Sequence, residues 1–74
     1  MSEKVKEIYS PSGKHRVVIL KKENGQYTLE THSYYEEMEE WEDTSFGLHL
    51  FGTIEKAEES AKELLRNESG ENIE

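Results

Sequence analysis

Apolar and polar positions follow two different periods along this chain. From Lys14 to Lys22 (KHRVVILKK), two valines, an isoleucine and a leucine fill four consecutive positions, which predicts a strand that is apolar on both sides of its pleat. From Ile54 the period becomes helical. Ile54, Ala57, Ala61, Leu64 and Leu65 fall on one stripe, Gly52 turns the chain before it, and Thr53 supplies the cap. The alanines let such a helix lie close to a sheet, and Glu58 and Lys62 form an i, i+4 ion pair on its wet side. Phe46–Leu65 is therefore the clearest local structure, and the rest reads as a sheet built to receive the helix.

Val5–Tyr9 predicts a short first strand, followed by the turn Ser10-Pro11-Ser12-Gly13. Asn24-Gly25 between two strand-like runs is a hairpin signal, because both residues accept positive φ. As a two-residue loop it pairs Lys22 with Tyr27, Leu20 with Leu29 and Val18 with Thr31. Val18, Leu20, Tyr27 and Leu29 then lie under the helix, and His15, Val17, Ile19, His32 and Tyr34 on the open face. A bulged turn shifts this register and exchanges the two faces. Residues Tyr34–Asp43 (YYEEMEEWED) admit a short helix, with Ser33 and Glu36 as a capping box, or a long hairpin whose strand reaches about Met38. The hairpin is preferred. It returns into a strand at Phe46–Phe51, with Phe46, Leu48 and Leu50 toward the helix and Gly47, His49 and Phe51 away from it.

These elements predict an α+β fold: a three- or four-stranded antiparallel sheet followed by one C-terminal helix packed on one face, βββα-like. Residues 1–66 form the one domain expected, and residues 67–74, polar and acidic, a disordered tail.

Composition changes the picture in three places. The absence of cysteine removes disulfides and thiolate metal sites. No apolar run approaches a membrane span, and the first residues lack a signal-peptide core, so the expected location is the cytoplasm. The net charge is −8 and unevenly spread: residues 1–22 carry six basic side chains against two acidic, and residues 23–74 fifteen acidic against three basic. Most of the surface therefore repels polyphosphate, which counts against nucleic acid as a general partner.

Little of the sequence carries chemistry. His15, His32 and His49 show no metal-ligand spacing, although a shared sheet face would bring them together. Six of the eight residues from Glu36 to Asp43 are acidic, without the oxygen spacing of a calcium loop. No phosphate loop, nucleophile elbow or opposed carboxylate pair is present. No enzyme, cofactor, metal or small-molecule substrate is expected. The candidate surface is the open sheet face, with Val17, Ile19, His32, Tyr34, Trp41, His49 and Phe51, joined by an acidic tip of Glu36, Glu37, Glu39, Glu40, Glu42 and Asp43. Aromatic area of this kind anchors protein interfaces. The expected function is a small acidic non-catalytic protein-interaction module, of phage or accessory-regulator kind, with a protein partner or a second copy of itself. The alternative is a nucleic-acid-binding sheet using Lys14, Arg16, Lys21 and Lys22.

The run Leu50–Ala61 (LFGTIEKAEESA) resembles the strand-to-helix corner of the integrase-type DNA-binding domain. The resemblance covers about a dozen residues and implies a three-stranded sheet followed by one helix. In that family it also implies a sheet that enters the major groove through arginines and tryptophans. Here the matching strands offer Arg16, Lys14, Lys21, Lys22 and Trp41, beside a strongly acidic hairpin, so the resemblance bears on topology and not on DNA binding.

Overall fold

A computed structural model describes residues 3–44 and 50–72. Four strands, β1 (Glu3–Tyr9), β2 (His15–Lys21), β3 (Tyr27–Tyr35) and β4 (Glu40–Asp43), form an antiparallel sheet in chain order. The helix α1 (Ile54–Ser69) follows and packs on one side, mainly over β2. The α+β architecture is the one the sequence predicts, with four strands, although β4 falls within the run expected as the acidic tip. Its two-sided apolar run places β2 inside the sheet, between β1 and β3.

The β2–β3 register differs from the predicted one by a single residue. Lys22 N–H donates to Gln26 at 2.7 Å and Gly25 N–H to Lys22 at 3.0 Å, so the loop holds three residues, with Gly25 at φ 86°. That is a turn closed by a left-handed glycine, and it replaces the two-residue turn that Asn24-Gly25 suggests. Ile19 now faces Leu29, Val17 faces Thr31 and Lys21 faces Tyr27. Because side chains alternate, the slip exchanges the faces. Val17 and Ile19, expected on the open face, are fully buried under α1 with Leu29, Ala57, Ala61 and Leu65. Val18 and Leu20 point the other way, paired with Glu30 and Thr28.

The second hairpin is also present, but shorter than expected. β3 ends at Tyr35, Glu36–Glu39 make the turn, and β4 returns at once over Glu40–Asp43. The predicted strand at Phe46–Phe51 lies outside the described residues over 46–49. Its end is visible: Phe51 exchanges two 2.9 Å backbone hydrogen bonds with Tyr27 and packs against the core from the helix side. Phe51 therefore does not belong to the open face. Leu50, expected toward the helix, is exposed. His49 lies outside the described residues.

In the turn, Glu39 takes φ 53°, a left-handed conformation that disfavours any side chain bearing a Cβ. Glu39→Gly removes that cost and one charge from a crowded acidic turn. It is expected to raise stability by about 0.5–1 kcal/mol, read as a rise of a few degrees in thermal melting.

The helix is capped at both ends. Thr53 Oγ1 accepts Lys56 N–H at 3.3 Å, and Gly70, at φ 70°, donates its N–H to Arg66 at 2.9 Å. The helix thus continues through Asn67, Glu68 and Ser69, which the sequence reading assigned to the tail. Glu58 is held by Lys6 of β1 at 3.1 Å, which ties the helix to the sheet edge. Beyond the cap, Glu71 accepts hydrogen bonds from Ser12 N–H (2.9 Å) and Ser12 Oγ (2.8 Å), fastening the helix end to the β1–β2 turn. Those bonds hold the Glu71 carboxyl below its ordinary value of 4.5. Unfolding returns it to that value, so the contact stabilises the fold above it and is lost as pH falls through the lowered one. The acid-induced drop in melting temperature is therefore expected to be shallower in Glu71→Gln than in the wild type, and equal slopes would show that the contact adds nothing.

Candidate functional site

The register decides which side chains meet on the sheet face opposite α1. Even-numbered residues of β2 and β3 point there: Arg16 opposite His32, and Val18 opposite Glu30. β4 adds Trp41 opposite Tyr34 and Asp43 opposite His32. β1 adds Tyr9 opposite Arg16 and Glu7 opposite Val18. Five residues from four strands, Tyr9, Arg16, His32, Tyr34 and Trp41, therefore converge at one end of the face.

Trp41 is the centre of this cluster. Tyr34 meets it edge-on with ring centroids 5.4 Å apart, and Tyr9 does the same at 6.2 Å. The Arg16 guanidinium carbon lies 4.1 Å from the indole centroid, a cation–π stack. Arg16 is held there twice more: its Nε donates to His32 Nδ1 at 2.9 Å, and an Nη to the Tyr9 hydroxyl at 3.4 Å. The Tyr9 hydroxyl in turn donates to Glu7 at 2.7 Å. Lys4, then Tyr9, by hydrogen bonding, hold the Glu7 carboxyl below its ordinary value. The arrangement is an ordered ledge: the indole contacts two rings and a guanidinium, yet Tyr9 keeps 46% of its surface exposed.

Of the predicted face residues, the structure brings together His32, Tyr34 and Trp41. Val17, Ile19 and Phe51 are on the helix side. His15 is there too, its Nδ1 3.0 Å from the Ser33 hydroxyl, so the three histidines do not gather on one face. Tyr9 and Arg16 were missed as members of this surface. Tyr9 reads as an ordinary strand end until the β1–β2 register, with its irregularity between Lys4 and Lys6, places it beside Arg16.

The acidic residues divide. Glu36, Glu37 and Glu39 lie in the exposed turn with Met38, Glu40 and Glu42 pair with Tyr35 and Ser33 on the helix-side face, and Asp43 joins the open face. Lys14 pairs with Glu36, which raises the lysine's pKa and lowers the carboxylate's, chiefly through the hydrogen bond between them. The basic residues divide as well. Lys14 is engaged by that pair, Arg16 by the ledge, and Lys21 points to the opposite face from Arg16.

Two further features bear on binding. Glu30, His32 and Asp43 each bring one ligand-capable atom to within 4.8 Å of the others. On the helix side, a shallow groove of about 290 Å³ is lined by Leu29, Phe51, Ser60, Glu63, Leu64 and Asn67. Among the described residues, Glu63 is the one carboxylate in that lining. Among the described residues, no helix is long and apolar enough to cross a membrane. Set against known proteins, the chain matches no family model, no curated relative and no solved structure.

Proposed function

We propose that this chain is a non-catalytic protein-interaction module that captures a basic protein partner on the sheet face opposite α1. The observation that carries this reading is the ledge itself: Trp41 braced edge-on by Tyr9 and Tyr34, with Arg16 on its ring. Trp, Tyr and Arg are the residues that dominate binding energy in protein interfaces, and here they are pre-ordered on a face the single helix leaves uncovered. Pre-ordering matters because side chains already fixed lose little entropy when a partner docks. The net charge of −8 and the acidic turn beside the ledge favour a basic partner, drawn in by long-range attraction. The DNA-binding alternative receives less support, since its four basic side chains do not share one surface.

Four immobilised baits test the proposal against source-cell extract: wild type, Trp41→Ala, Tyr9→Ala and Glu59→Ala, an exposed helix control. Each is first shown to be folded by circular dichroism. The expected result is a basic protein retained by the wild type and Glu59→Ala, lost from Trp41→Ala and retained in smaller amount by Tyr9→Ala. Equal retention by all four baits, or retention by none, would remove this face as the working surface.

A further inference from the structure

We propose that Glu30, His32 and Asp43 form a binding site for a zinc-class divalent cation, and that Arg16 closes this site until the metal displaces it. The three residues come from the ladder itself. Glu30 and His32 are two apart on β3 and so share a face, and Asp43 of β4 stands directly opposite His32. One imidazole nitrogen and two carboxylate oxygens form a mixed donor set that zinc accepts, with water completing the coordination. Donor atoms on one tetrahedral zinc sit about 3.3 Å apart, given bond lengths of about 2.0–2.1 Å. The three donor atoms here are already within 4.8 Å of one another, so rotation of side chains, without movement of either strand, closes the site. Mean exposure also suits an exchangeable ion: Glu30 and His32 are half-buried and Asp43 is exposed.

Arg16 is what the metal has to overcome. Its Nε–H donates to His32 Nδ1, so the neutral ring carries its proton on Nε2 and has no bare nitrogen to offer. A divalent ion beside Glu30 and Asp43 repels the guanidinium, and once Arg16 leaves, the ring can place its proton on either nitrogen. The nitrogen facing the carboxylates can then be the bare one. Arg16 stacks on Trp41, the single tryptophan of the chain, so its departure changes the surroundings of the indole. Metal binding is thereby readable in fluorescence, and it does not require the partner proposed above.

The test is a zinc chloride titration of untagged, metal-free protein at neutral pH, followed by tryptophan emission and by calorimetry. The expected result is saturable binding at one site with a change in Trp41 emission, and no such change with magnesium. His32→Gln and Asp43→Asn, both checked for folding, weaken binding by at least about tenfold, the scale on which even an outer partner of a ligand matters. Arg16→Gln tightens it, and His15→Gln, on the other face, leaves it unchanged. No saturable binding up to millimolar zinc would overturn the proposal. So would unchanged affinity in His32→Gln, weaker affinity in Arg16→Gln, a metal isotherm with silent Trp41 emission, or an equal response to magnesium.

Discussion

Ile19→Glu is expected to unfold the protein, whereas Leu20→Glu, one position further along β2, is expected to leave it folded. Ile19 has no exposed surface and packs among Val17, Leu29, Ala57, Ala61 and Leu65. The substitution removes about 2–3 kcal/mol of apolar burial and places a carboxylate among apolar side chains. The sum exceeds about 4 kcal/mol, against a total of about 4–11 kcal/mol for a domain of this length. Leu20 faces away from α1, is half-buried, and stands between Lys4 and Thr28 in the ladder. A glutamate there keeps its charge in water near a lysine, and the cost is about 1 kcal/mol. Far-ultraviolet circular dichroism with urea titration distinguishes the two outcomes. A folded Ile19→Glu together with an unfolded Leu20→Glu would show that the hairpin takes the two-residue turn and the opposite register.

Trp41→Ala has the largest effect expected on binding. The indole touches Tyr9, Tyr34 and Arg16 at once, so its loss frees two rings and a guanidinium that it holds in place. Central aromatic anchors of this kind cost about 2 kcal/mol or more when truncated, a weakening of about thirtyfold. The effect on folding is smaller, because Trp41 lies on the short outer strand β4, away from the core beneath α1. Tyr9→Ala, on the opposite edge strand, removes one of the two edge-on contacts and is expected to weaken binding less. A partner that tolerates Trp41→Ala but not Tyr9→Ala would move the centre of the interface toward β1.

The sequence revealed the elements better than the faces. The run Val17–Leu20 and the stripe Ile54–Leu65 marked the inner strand and the helix, because each is a strong periodic signal within a few residues. The register was not legible in the same way. Asn24-Gly25 fits a two-residue turn, and the three-residue turn that forms uses the same glycine at positive φ. With Val17, Val18, Ile19 and Leu20 all apolar, the strand itself gives no alternation that would choose between them. What decides is the partner strand: Leu29, Thr31 and Ser33 are small or apolar enough to lie beneath the helix, whereas Glu30, His32 and Tyr34 are better placed outside.

The candidate site suffered from the same ambiguity. His32, Tyr34 and Trp41 were found through their chemistry, since their strands place them on the open face in either register. Val17 and Ile19 were lost to the core by the one-residue slip, and Phe51 by its pairing with Tyr27. Arg16 was counted for its charge alone. Its stacking on Trp41 joins residues 25 positions apart, and no local pattern in the sequence records that contact.

The working surface is tested most directly by measuring the affinity of a purified, captured partner for the wild type, Trp41→Ala and Glu59→Ala. The expected result is a loss of about thirtyfold confined to Trp41→Ala, with Glu59→Ala binding as the wild type does. Equal affinities for all three proteins would contradict a partner site on the sheet face opposite the helix.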